Sequence, residues 1–216
     1  MTADVTIPLS TGQGEIAATL AVPGEPAGLV VFAHGSGSSR HSARNRFVAD
    51  ALQARGHATL LLDLLTPEEE VQDQPTGRWR FDIPLLADRL KSGCVWAETE
   101  PAVAGLPLGL FGASTGAAAA LLTAAEPGVR AKAMVSRGGR PDLAGQVLPL
   151  VQAPTLLIVG GDDEPVLGLN RDAAQVLPHA EVAVVAGATH LFPEPGALER
   201  VAGLAGDWFD RHLRSA

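Results

Sequence analysis

Ser114 stands at the centre of Gly112-Ala113-Ser114-Thr115-Gly116, between an apolar strand-like run and an alanine-rich helical one. Small neighbours let a strand turn sharply into a helix, and such a turn lifts the hydroxyl out of the sheet. The same residues also suit a serine that merely caps a helix, so the chemistry depends on partners. A serine hydroxyl attacks a carbonyl when an imidazole takes its proton, and a carboxylate on the other ring nitrogen fixes the tautomer and stabilises the imidazolium. Two later segments offer those groups: Asp162 and Asp163 end the apolar run 153–160, and His190 follows the run 180–187 through a short loop. Asp162 adjoins a glycine turn and suits a local Asx bond. Asp163 opens the next helical segment and is assigned as the acid. His57, His179 and His212 fall at a strand start, near a helix end and in the terminal helix, where solvated or capping roles are expected.

Acyl transfer also needs two backbone N–H groups aimed at the developing oxyanion, one from the residue after the nucleophile and one from an early strand-to-helix loop. Thr115 and Ser36 are the candidates, and His34 is expected to order its own loop. That loop, Gly35-x-Gly37-x-x-Arg40 followed by Asp63 at the end of the next strand, also suggests a dinucleotide site. Arg40 stands where the third glycine belongs, and two strands precede the unit, which argues against that reading. Arginines cluster around both loops: Arg40, Arg44 and Arg46 in one, Arg137 and Arg140 in the other. They suit solvent-exposed helix starts or pairing with acids such as Asp142. As a cluster they predict a small carboxylate-bearing substrate, with Arg137 as first anchor and Arg40 as second.

These groups need a frame. Short apolar runs at 28–35, 57–63, 106–112, 131–136, 153–160 and 180–187 read as strands buried on both faces, after an opening pair around 5–10 and 14–22 joined at Thr11-Gly12-Gln13. Helical patterns lie between them: Phe47, Val48, Ala51 and Leu52 share one face, and Leu198, Val201, Leu204, Ala205, Trp208, Phe209 and Leu213 share another. Strand and helix in alternation predict a mostly parallel α/β sheet covered by helices on both faces. Ligands of such sheets bind beyond the carboxyl ends of the strands, where Ser114, Asp163 and His190 fall. The acidic stretch 64–79 reads as a solvated connection.

The 216 residues suit one domain, 1–216, and a formal net charge of −8 gives no basic field to draw nucleic acid or an anionic membrane. Cys94, the one cysteine, shares a helix face with Ile83, Ala87 and Leu90 and reads as a core residue. One cysteine and a start without a basic-then-apolar leader lead us to expect a cytoplasmic protein. A monomer or small homo-oligomer is expected. No metal or cofactor is expected.

Together the segments 32–47, 112–116, 136–143, 156–166 and 187–192 resemble the dienelactone-hydrolase-like branch of the α/β-hydrolase superfamily, from about residue 28 onward. The resemblance implies an eight-stranded sheet, no bound cofactor, and hydrolysis of esters or lactones. It places the catalytic aspartate by the pattern Gly160, Asp163, Val166. Dienelactone hydrolases proper carry cysteine where this chain has Ser114, so a carboxylesterase acting on a small ester or lactone is expected. The connection between the sixth strand and 153–160 is too short for a large lid. A scaffold module of the same fold is the alternative.

Overall fold

Valine, leucine and alanine runs too short for buried helices form the eight strands of a single sheet. The computed structural model describes residues 1–10, 12 and 14–214, so Thr11 and Gln13 of the expected first turn lie outside the described residues. The strands are β1 (Thr2–Pro8), β2 (Glu15–Ala21), β3 (Leu29–Ala33), β4 (Ala58–Leu62), β5 (Leu108–Ala113), β6 (Ala131–Arg137), β7 (Thr155–Gly160) and β8 (Ala180–Val185). Their order is β1-β2-β4-β3-β5-β6-β7-β8. β2 runs antiparallel to β1 and β4, and β4 through β8 pair in parallel.

Helices α1 (Ala43–Ala54) and α6 (Ala197–Leu213) cover one face, where Val48, Leu52, Val201 and Phe209 pack on Phe32, Phe111 and Val135. Helices α3 (Ile83–Thr99), α4 (Thr115–Ala125) and α5 (Glu164–Ala174) cover the other, and Cys94 is buried there as expected. No described helix is long and apolar enough to cross a membrane.

Three expectations change. The stretch read as a solvated connection is mostly exposed, but it is not plain loop: it forms α2 (Pro67–Asp73) and a 3₁₀ turn (Trp79–Phe81). Thr66 and Glu69 close a reciprocal capping box at the start of α2, Pro67 sits in its first turn, and Glu69 also accepts a 2.8 Å bond from the buried Arg89 of α3. His57 is wholly buried, with Nε2 bonded to Asp210 of α6 at 2.8 Å, rather than solvated. Phe47, expected on the packed face of α1, is exposed.

The turn from β5 into α4 leaves no space for side chains at its two glycines. A Cβ on Gly112 would stand 2.4 Å from the Ala117 Cα, and one on Gly116 would stand 2.4 Å from the carbonyl oxygens of both Ala33 and His34. Backbone cannot retreat as a flexible side chain can. Gly116→Ala should therefore destabilise the protein by about 3 kcal/mol or more, at the top of the usual overpacking range. Urea unfolding checks this, and a loss below about 1 kcal/mol would mean that the junction yields.

His34 ties the loop after β3 to the loop after β4. Its Nδ1 lies 2.9 Å from the Gly35 carbonyl, and its Nε2 accepts the Leu64 N–H at 3.2 Å. That pattern requires the neutral ring with the proton on Nδ1. Burial lowers the pKa of His34, against opposing pulls from the Gly35 carbonyl and Asp63, and burial likewise lowers that of His57. A group whose folded pKa is depressed leaves the unfolded chain binding the extra proton, so stability is lost as pH falls below about 6.5. Each histidine contributes at most one proton, about 1.4 kcal/mol per pH unit. Unfolding free energies between pH 7.5 and 5.5 should fall accordingly, and His34→Gln should flatten part of the slope.

Candidate active site

Ser114 occupies φ 52°, ψ −121°, a left-handed conformation that side chains rarely adopt. Backbone bonds hold it there. Its N–H donates to the Arg137 carbonyl at 3.2 Å, and its own carbonyl accepts the N–H of Arg140 at 3.2 Å and of Ala117 at 3.1 Å. The segment after β6 thus brackets the serine.

The same segment supports the histidine. Gly138, at φ +52°, lies so close to His190 that a Cβ there would stand 3.1 Å from the His190 carbonyl oxygen and 3.5 Å from ring atoms Cε1 and Nδ1. Residues 137–140 therefore bring Ser114 and His190 against one floor. The loop that carries His190 is itself constrained: Phe192 has φ 55° and is buried, and Glu194 accepts from both the N–H and the hydroxyl of Thr189, at 3.1 and 2.6 Å. Sequence reasoning missed Glu194, although a threonine before the histidine and an acid five residues on was the available signal.

Asp163 is the N-cap residue of α5, yet its side chain makes no capping bond. Its Oδ2 lies 2.7 Å from His190 Nδ1 instead, with the carboxylate largely buried. Asp162 is exposed. The geometry separates the two neighbouring acids: one faces solvent and the other lies against the imidazole.

The two proposed oxyanion donors differ. Thr115 begins α4, and its N–H has no acceptor among the described residues. The Ser36 N–H donates to the Thr115 hydroxyl at 2.8 Å, so it is not a free donor as expected. The early loop is thereby pinned to the elbow. Beside it runs a cleft of about 500 Å³, lined by Ser36, Ser39, Leu65, Glu70 and Arg80, with α2 on its far wall. Ser114, Asp163 and His190 do not line that cleft.

The arginines divide sharply. Arg40 pairs with Asp63 through its guanidinium and also donates its backbone N–H to that carboxylate at 2.8 Å. This bond removes Arg40 as a substrate anchor and occupies the acid that a dinucleotide site would need. Arg140 pairs with Asp142 at 2.7 and 2.8 Å. Arg137, expected beyond the strand, is the last residue of β6 and is buried without a hydrogen-bond partner on Nη1. Among the described residues no cluster of histidine, cysteine and acidic side chains could hold a metal ion.

No family model matches the chain. It is 51% identical to a dienelactone hydrolase from Anabaena variabilis of known crystal structure, covering 99% of each chain with a TM-score of 0.95. An esterase domain from Rhodothermus marinus shares the fold at 20% identity and TM-score 0.75, over 99% of each chain. A Mycobacterium tuberculosis protein, provisionally named phosphoribosyl transferase, is 58% identical over 211 residues, 97% of this chain. The chain spans 47% of that relative's length. With its eight-stranded, mostly parallel sheet and these relatives, the chain belongs to the dienelactone-hydrolase-like branch of the α/β-hydrolases.

Proposed function

We propose that the chain is a serine hydrolase that cleaves small esters or lactones through an acyl-enzyme, acting as a carboxylesterase. One observation carries this reading: His190 Nδ1 is held by Asp163 at 2.7 Å while the ring rests on Gly138, in the segment that hydrogen-bonds the Ser114 backbone. Neutral His190 takes the Ser114 proton on Nε2 as the hydroxyl oxygen attacks the carbonyl carbon. The Thr115 N–H stabilises the oxyanion, and Ser36 N–H joins it only by exchanging its bond to the Thr115 hydroxyl for one to substrate. His190 then returns the proton to the departing alkoxide. Water repeats the sequence on the acyl-enzyme, and the acid leaves. Nothing in these steps asks for a cofactor. The buried lone thiol suits a reducing compartment, which supports the cytoplasm as the location.

The test is hydrolysis of short p-nitrophenyl esters. Ser114→Ala should lower kcat/KM by a factor on the order of 10⁴ or more, and should abolish covalent labelling by a fluorophosphonate. Asp163→Asn should lose about 10⁴-fold, by analogy with removal of the orienting carboxylate elsewhere, whereas Asp162→Asn should stay within a few-fold of wild type. His190→Ala should remove the turnover. Ester turnover unchanged in Ser114→Ala would favour the scaffold reading. Pyrophosphate release from phosphoribosyl diphosphate without ester turnover would instead carry over the activity named for the Mycobacterium relative.

A further inference from the structure

We propose that Glu194 is a positioning residue for His190: it clamps the residue ahead of the histidine to the start of α6, and turnover depends on this clamp far more than stability does. The catalytic consequence rests on the serine-hydrolase reading above, and the clamp itself does not. His190 sits in the segment 186–196, between the end of β8 and the start of α6, outside any helix or strand. A general base carried on such a segment needs its backbone fixed by other means, because a displacement on the order of 1 Å can cost about a hundredfold in rate.

His190 does not fix its own backbone. Neither its N–H nor its carbonyl makes a backbone hydrogen bond among the described residues. Its ring is bonded through Nδ1 to Asp163 at 2.7 Å and lies against Gly138, contacts that locate the imidazole only when the backbone is already in place. The neighbours must supply that. Upstream, the Ala188 carbonyl accepts the Asp162 N–H at 3.0 Å, which anchors the chain two residues before the histidine. Downstream, Phe192 is 2% exposed, belongs to the same buried cluster as Ala188 and Ala197, and donates its N–H to the Thr189 carbonyl at 3.1 Å.

Glu194 closes the remaining gap. Its Oε1 accepts the Thr189 N–H at 3.1 Å and the Thr189 hydroxyl at 2.6 Å, and its carbonyl accepts the N–H of Ala197, the first residue of α6, at 3.0 Å. One residue thereby joins the peptide ahead of His190 to the helix that covers the sheet. The Thr189 hydroxyl, against the opposite pull of burial, holds the Glu194 carboxyl below the usual carboxylate range. The clamp is therefore ionised at neutral pH, and charge-assisted bonds of this kind are the short, strong ones. Both bonds face solvent, so water replaces them at small cost to folding when the carboxylate is removed. The loop responds differently. Phe192 at φ 55° holds a strained left-handed backbone, and a loosened turn relaxes that strain by carrying His190 away from Asp163.

Three variants, Glu194→Ala, Glu194→Gln and Thr189→Val, test the clamp by p-nitrophenyl acetate kinetics, thermal unfolding and the proton NMR signal that bridges His190 Nδ1 and Asp163, assigned by its loss in His190→Ala. Glu194→Ala should lower kcat about tenfold or more while KM stays within about threefold. Its Tm should fall by no more than about 4 °C. Glu194→Gln keeps a carbonyl oxygen that accepts both bonds and should recover most of the loss, and Thr189→Val, which removes the hydroxyl bond alone, should fall between the two. The bridging proton should broaden through exchange with water in Glu194→Ala and return in Glu194→Gln.

Wild-type kcat with an unchanged bridging signal in Glu194→Ala would overturn the proposal. So would equal losses in the alanine and glutamine variants, which would assign the effect to charge rather than position, and a large fall in Tm with kcat intact would make Glu194 a structural residue. If Glu194→Ala does not fold, Thr189→Val decides, and an unchanged kcat and signal there overturn the clamp. A wild type that does not turn over the ester overturns the hydrolase reading, while the bridging signal still decides whether Glu194 positions His190.

Discussion

The candidate site of this molecule depends on one strained residue. Ser114 at φ 52° carries a conformational penalty of roughly 1–3 kcal/mol, of the kind that persists only where the surroundings over-determine it. They do so here from three sides. Gly112 admits the backbone of Ala117, Gly116 admits the carbonyls at the end of β3, and residues 137 and 140 hydrogen-bond both sides of the serine. A Cβ at either glycine would stand 2.4 Å from backbone atoms, so something in the junction would have to shift.

Asp163 and His190 are positioned by the same strand ends as Ser114. Parallel pairing of β5, β6 and β7 sets the carboxyl termini of the three strands side by side. Ser114, the 137–140 segment and Asp163 then follow within a few residues of those ends, and His190 comes in from the loop after β8. Thr115 links this centre to the early loop through the Ser36 N–H, and His34 links that loop to the end of β4. Few of these bonds join neighbours in sequence.

That distribution decides what the sequence could reveal. Strands were legible because their apolar runs are short and bounded by glycine, and Asp163 was separable from Asp162 because only one of them opens a helix. Interactions between distant segments left no local pattern. The acidic residues 68–70 look solvated, yet Glu69 caps α2 and binds Arg89 twenty residues away. Thr66 followed by Pro67 and Glu69 was the capping signal in that stretch, and charge content outweighed it. His57 likewise looked like a strand-start residue, and its partner Asp210 lies 153 positions further on. The arginine cluster was visible in sequence, but only the fold shows that Arg40 is bound to Asp63 while Arg137 is not bound to any acid.

The most direct test of the account is to catch the covalent intermediate. The protein is mixed with p-nitrophenyl acetate, quenched with acid within the first turnover, digested, and its peptides weighed. The account predicts one acetyl group, on the peptide that contains Ser114 and on that side chain. Acetyl on another residue, or nitrophenol released in the first turnover with no acylated peptide, would contradict it.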